Sequence, residues 1–489
     1  MADDSSMRYS RDEEFRDRDD IPLKETGTED CDVDKQSYPP GSKLAPILIG
    51  LCFQSFCIAL DNTILSTAVP KITEQFNSLG DLSCDTLIQR THLRTSNCRN
   101  WIGGLSPGAL LVLANSVPLN RRALYFGIIG SISGIATITG PLWRWCFWIN
   151  LPFGVITGLV IVLFFKDPTT PKPKLSRLAQ IKRMDPFGIL VFIPAIVSLL
   201  LCLQWGGTRY NWDNARIIAL FVLFGIFSCA WCGIQLWKQD EATVPPRLLK
   251  NRNVLGAVIH ATFLGGSFFV FGYYLPIWFQ AVKETSAAQS GINNLPMVVS
   301  MIVCSALGGL LVNLVGYYTP LMFIGSAFLT IGSGLCTSLD VNSGYPQWIG
   351  YQVILGIGAG LGFQQCINAL QTVLPLQDIP VGIAIITFAQ SLSGAMFISI
   401  AQTVFENRLV ASIAANAPKV NPEALTKAGA TNLSLRVSKE ILPSVLKAYN
   451  IAVTQTFYVS VAAAILSFIG AGLVQWKSMR RPQKIDGTD

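Results

Sequence analysis

Runs of about 20 apolar residues recur along almost the whole chain, with the charged residues gathered between them. Coiled as a helix, a run of that length spans ~30 Å, the thickness of a bilayer's hydrocarbon core. Lipid offers no partner to a bare peptide group, so such runs must be helical there. The fold class expected is therefore all-α integral membrane. Twelve runs are discernible, at 44–69, 101–118, 124–142, 145–165, 186–205, 215–237, 254–280, 291–315, 319–339, 348–372, 380–404 and 450–475. An even number of crossings puts both tails on one side of the membrane.

Composition excludes several other classes. Of the 489 residues 51% are hydrophobic and 14% charged, against roughly 25% charged in soluble chains. The net charge of +7 does not point to nucleic acid, because the basic residues sit in the short connections between runs. Most of the twelve cysteines lie inside the runs, Cys229 and Cys232 of the one CxxC pair included. They read as small apolar residues rather than a disulfide set. With only two histidines, His92 and His260, no His-rich metal site is available, and no metal or cofactor is expected. No clustered acid, base or metal set argues for an enzyme.

The charge between runs sets sidedness. With the tails inside, the inner connections hold Arg121 and Arg122, then Lys166, Lys172, Lys174, Arg177, Lys182 and Arg183, then Lys238, Arg247, Lys250 and Arg252, and the tail adds Lys477, Arg480, Arg481 and Lys484. Short outer connections hold only Arg144, Arg209, Arg216 and Lys283. This asymmetry favours cytoplasmic tails. Residues 1–43, with thirteen acidic and seven basic residues, read as a disordered cytoplasmic tail. An N-terminal helical bundle follows over 44–165, with a polar, anomalous segment at 81–103. Then come a basic cytoplasmic linker at 166–185, the remaining helices at 186–476 and a tail at 477–489. Residues 405–449 are expected to form a long extracellular loop, and Asn432-Leu433-Ser434 within it is a glycosylation acceptor.

Polar residues inside the runs point to function because each is costly in hydrocarbon. Asp61 falls in the outer part of the first run. A carboxylate there either exchanges a proton or caps a helix beside the outer water layer. His260 reads as a packing residue. The amides are Gln54, Gln280, Gln364, Gln365, Asn368, Gln371, Gln390 and Gln402; of these Gln364, Asn368 and Gln371 share one helical face. With Tyr273 and Tyr274 nearby in the candidate set, such a face suits a moderately polar organic solute; interhelical bonding and core packing are the alternatives. Gly130 and Gly134 form GxxxG ahead of Gly140-Pro141, and Gly356, Gly358, Gly360 and Gly362 alternate through a later run. These are either plain helix contacts or a deformable lining of a path.

Several ordered strings resemble one family. Leu60-Asp61-Asn62-Thr63-Ile64 through Ala68-Val69-Pro70 resembles the first-helix motif of the fourteen-span drug:proton antiporters of the major facilitator superfamily. Gly140-Pro141 resembles the core of that family's antiporter motif. Trp143-Arg144-Trp145, with Asn150 and Pro152 downstream, looks like its WRWxFxINLP signature, and Tyr273 to Gln280 is similar to the signature of fungal members. The resemblance covers roughly 44–80 and 104–476 and is nearest to fungal pumps for toxins, other secondary metabolites and drugs. It implies a major facilitator fold with about 12 spans present of an expected 14, in a monomeric, multi-pass protein of the cell membrane. It also implies efflux of a small organic substrate against protons, with Asp61 coupling or gating and Gly140-Pro141 limiting leakage. An importer of the same fold, and a vacuolar or vesicle location, remain alternatives.

The chain departs from that pattern twice. After Gly80 the segment 81–100 matches nothing, and the family's cytoplasmic GxLaDrxGrk motif and fourth-helix arginine are absent. After Leu142 an outer connection is missing before the Trp143 string. Both look like deletions, as a mis-spliced or decayed gene would produce, removing helices two and three and part of four. Such a form is expected to transport poorly or not at all.

Overall fold

A computed structural model describes residues 185–479 apart from 208, 376, 418–436 and 439, together with 46, 48–55, 113, 117, 121, 122, 124, 125 and 127–129. Asp61, Gly130, Gly134, Gly140, Pro141, Trp143, Arg144, Trp145, Asn150, Pro152 and Asn432 lie outside the described residues, as does segment 81–103.

Over 185–479 the chain forms helices α1 (Pro186–Trp205), α2 (Ala215–Lys238), α3 (Pro246–Lys250), α4 (Arg252–Ala281), α5 (Ala287–Asn293), α6 (Leu295–Val315), α7 (Thr319–Cys336), α8 (Tyr345–Val373), α9 (Ile379–Asn416) and α10 (Leu442–Leu473). Eight of them are long and apolar enough to cross a bilayer. Each matches one of the runs from 186 onward. Large apolar side chains are exposed along α1, α2 and α6, among them Leu190, Ile193, Val222, Ile226, Val303 and Leu314. Water would not tolerate so broad an apolar surface; lipid demands it.

Proline starts many of these helices. It occupies the first turn of α1, α3, α6, α7, α8, α9 and α10, where its missing N–H would have had no helical partner. Asn294 separates α5 from α6, so the run at 291–315 becomes a short helix tip followed by a span.

The loop expected at 405–449 is helical at both ends. Helix α9 continues to Asn416, and α10 begins at Leu442. The cause is a continuing buried face: Leu409, Ser412 and Ile413 on α9, and Val445, Ala448 and Tyr449 on α10. Both sets have the three-and-four spacing of a helix that still has something to pack against.

Helices α4 and α6 to α10 form a six-helix bundle, whose buried apolar side chains fall into two groups, one toward each end. Lipid removes the usual hydrophobic drive between helices, so close backbone approach must replace it. Glycine supplies it. A methyl group on Gly332 of α7 would lie 2.6 Å from the Leu355 nitrogen of α8, and one on Gly358 would overlap the backbone of Leu329. Gly356 and Gly360 press instead on α6, at Met297 and Met301. Between α4 and α10, Gly470 meets the backbone of His260. A serine chain adds to the seam: Ser460 Oγ donates to Ser267 O (2.8 Å), and Ser326 and Ser467 hydroxyls lie 2.7 Å apart.

The remaining pair, α1 and α2, is a hairpin held at its base by one carboxylate. Asp185, the last residue of the basic linker, caps α1 from a left-handed conformation (φ 48°). Its side chain is fully buried, accepting from Gly188 N (2.9 Å), Lys238 Nζ (2.8 Å), Gln235 Nε2 (3.1 Å) and Thr243 Oγ1 (3.0 Å). Burial alone would raise its pKa, but these donors outweigh burial and hold it well below the usual carboxylate range. Nearby, the Arg247 guanidinium forks onto Asp378, with both N–O distances 2.7 Å, and ties the approach to α4 to the start of α9.

Two outcomes follow from this packing. Gly358→Ala is expected to lower the unfolding temperature in detergent, with overpacking on the order of 1–3 kcal/mol, whereas Gly334→Ala and Gly350→Ala, which have open space around them, serve as silent controls. Asp185→Ala leaves Lys238 without its partner and is expected to cost about 3 kcal/mol. Because folding depresses the Asp185 pKa, its contribution is complete above the unfolded value of about 4. Below that value it falls progressively and is lost once acid has titrated the folded carboxylate too, so the gap between wild type and variant narrows on acidification in a melting series.

Candidate functional site

Helix α8 carries the densest buried polarity of the bundle. Its last third contains Gln364-Gln365-Cys366-Ile367-Asn368-Ala369-Leu370-Gln371, and Gln365, Asn368 and Gln371 are buried while Gln364 is partly exposed. Asn368 Nδ2 donates to Gln365 Oε1 at 2.9 Å, so the bonded pair is Asn368 with Gln365. Gln365 was in the amide group but not on the face picked from spacing. Gln365 also borders α6, where a methyl group on Gly308 would lie 3.4 Å from its Nε2.

His260 of α4 is fully buried and bonds through Nδ1 to Ser467 O of α10 at 3.0 Å. Its other nitrogen faces α8: a methyl group on Gly362 would lie 3.6 Å from Nε2. Among the described residues, His260 Nε2, Gln365 Nε2, Asn368 Oδ1 and both amide atoms of Gln371 are buried without a hydrogen-bond partner. An unpaired buried donor or acceptor costs about 1–3 kcal/mol. Five such atoms on two facing helices mark a polar region that a solute or water is suited to complete.

Aromatic rings connect this region to the opposite end of the bundle. Phe268 of α4 meets Phe363 of α8 edge to face, with centroids 5.4 Å apart, and Phe263 meets Phe397 of α9 at 6.1 Å. Gln390 lies where α9 crosses α4 at Gly265. Further along, Tyr273 and Tyr274 pair at 5.1 Å, and Tyr274 faces Phe405 at 5.6 Å. Gln280 lies beyond them and braces α5, its Nε2 donating to Ser290 Oγ at 3.0 Å. The candidate set is therefore distributed along one seam: Asn368 and Gln371 near the end that holds Asp378, Gln390 between, and Tyr273, Tyr274 and Gln280 toward the other.

The sequence reading missed Glu406, which lies on α9 and accepts from Gln402 Nε2 at 3.0 Å. Assigning 405–449 to a loop hid it; the recurrence of Leu409, Ser412 and Ile413 was the available signal. Among the described residues no three His, Cys, Asp or Glu side chains converge as a metal site. Such a seam can bind and pass a solute; it shows no group arranged for bond making.

Comparison with known proteins places this geometry. The Major Facilitator Superfamily description matches residues 101–398. MFS-type transporter ptmT of Penicillium ochrochloron is 43% identical over 511 aligned positions, covering 93% of this chain and 90% of its own length. Efflux pump roqT of Penicillium rubens is 41% identical over 500 positions, covering 91% and 92%. MFS-type efflux pump MFS1 of Arthroderma benhamiae is 40% identical over 508, covering 92% and 94%. Each alignment is longer than the 489-residue chain, so each relative carries residues within the matched span that this chain lacks. The chain belongs to the Major Facilitator Superfamily and is a multi-pass membrane transporter, not an enzyme.

Proposed function

We propose that the protein is a proton-driven exporter of a small organic compound, a toxin, other secondary metabolite or drug, in a fungal cell membrane. The observation that carries this reading is the group of unpartnered polar atoms that His260 of α4 and Gln365, Asn368 and Gln371 of α8 contribute. They adjoin an aromatic seam suited to an apolar solute with a few hydrogen-bonding groups. Relatives named efflux pumps, at 40–41% identity, support the outward direction. Asp61 is assigned the coupling proton and Gly140-Pro141 the bend that limits leakage, both from the family resemblance. The tails face the cytoplasm, and a glycan on Asn432 would stand outside.

A second reading has its own support. Alignments longer than the chain fit the loss of internal helices, and a shortened form would export less than a complete one.

Both readings are open to one assay. In yeast lacking its own efflux pumps, cells making a restored-length version are expected to retain less of a neutral dye such as Nile red, and a protonophore should abolish the difference. Asn368→Leu with Gln371→Leu is expected to cut that export about tenfold at equal membrane abundance. Unchanged dye retention in the double variant would defeat the assignment of the α8 face. The present chain is expected to export less than the restored one, and equal export would remove the second reading.

A further inference from the structure

The turn that joins α1 to α2 is fixed by its own backbone. Tyr210 N donates to Trp205 O (3.0 Å), Gly207 N to Tyr210 O (2.8 Å) and Asn214 N to Asn211 O (3.0 Å). Gly207 is left-handed (φ 74°), and the Trp212 ring lies against Gly206 and Gly207, where any side chain would collide with it. Two guanidinium groups share the ring that this turn presents. Arg216 Cζ lies 5.0 Å from the Tyr210 centroid, and its Nη1 donates to the Tyr210 hydroxyl at 2.6 Å. Arg209 Cζ lies 5.9 Å from the same centroid and 5.9 Å from that of Trp205. Both arginines are exposed, and among the described residues neither has a carboxylate within ion-pair distance.

Two like charges on one ring repel each other, and Arg216 stands in the first turn of α2, where the helix dipole disfavours a cation. With the tails inside, the turn is also on the outer side of the membrane, where basic residues are scarce. An anion held between the two arginines offsets these costs. Guanidinium groups fork onto phosphate oxygens, which makes a phosphate the best complement. The surroundings favour lipid as its source. Trp205, Tyr210 and Trp212 are side chains suited to headgroup depth. Beneath them α2 exposes Ile218, Phe221, Val222 and Ile226 at helical spacing, an apolar stripe along which an acyl chain can lie. We propose that Arg209 and Arg216, steadied by Tyr210, bind the phosphate of an outer-leaflet phospholipid whose acyl chain follows that stripe. The site goes beyond the transport reading and is independent of the solute carried.

The test uses the full chain purified in dodecyl maltoside and titrated with lipid, with bound lipid counted by native mass spectrometry. Dioleoyl phosphatidylcholine is the phosphate probe, and a dioleoyl galactolipid with no phosphate is its control. The unaltered chain is expected to bind the first phosphatidylcholine at least about tenfold more tightly than the galactolipid. Arg209→Gln with Arg216→Gln should erase that preference while changing galactolipid binding by less than about twofold and leaving the melting temperature in lipid-free detergent unchanged. Arg209→Gln alone, which removes no hydrogen bond among the described residues, should lose part of the preference. Lys250→Gln with Lys477→Gln, the same change of charge at the opposite end of the bundle, should keep it. An unaltered chain without the preference would overturn the site, as would an unchanged preference in the double arginine variant or an equal fall in both double variants. Loss of the preference on adding inorganic phosphate would assign the arginines to a free anion and overturn the lipid.

Discussion

The bundle depends on backbone meeting backbone. In water, a helix with a greasy stripe would be driven onto its neighbour by the solvent. In lipid that drive is absent, and helices associate through surface match and short-range attraction. Between α7 and α8 the match comes from positions without side chains, Gly325, Gly332, Gly358 and Gly362. Of the alternating glycines of α8, Gly356 and Gly360 point toward α6, Gly358 toward α7 and Gly362 toward α4. One helix can therefore touch three partners closely, and the same closeness brings Gln365 and Asn368 out of contact with water.

That burial explains why the polar side chains of the bundle are few and specific. Ser267, Ser326, Ser460 and Ser467 find one another or a carbonyl. Each hydroxyl is small enough to fit a narrow seam and replaces a contact that water would otherwise provide. His260 obeys the rule with one ring nitrogen and not with the other. The amides of Gln371 do not obey it at all. Structural polarity and functional polarity are thus distinguishable here by whether the protein completes the hydrogen bonds itself.

The spans from 186 onward were legible because length and apolarity alone define a crossing, and each was found within a few residues apart from the ends of α9 and α10. What the sequence concealed has physical causes. Helix continuation past 404 rests on Leu409, Ser412 and Ile413 finding a partner surface, which only the assembled bundle supplies. Spacing alone placed Gln364 with Asn368 and Gln371, yet neighbouring wheel positions differ by less than the width of a side chain, and packing against α6 put Gln365 in the buried position. Asp185 read as the tail of a linker, since its donors come from residues as distant as Thr243. The family strings at Asp61, Gly140 and Trp143 identified the chain from local sequence, independently of any packing.

Helix α9 is 38 residues long, or ~57 Å, against a hydrocarbon thickness of ~30 Å. The hairpin beside it acts as a depth gauge. Thr403 meets Leu203 near the end of α1, where Trp205, Tyr210 and Trp212 cluster with Arg209, a composition characteristic of the headgroup layer. The final turns of α9 accordingly rise clear of the acyl chains like a mast. The chain that leaves it has no need to bend within lipid, and a polar stretch of any length can be hung there without disturbing the spans beneath.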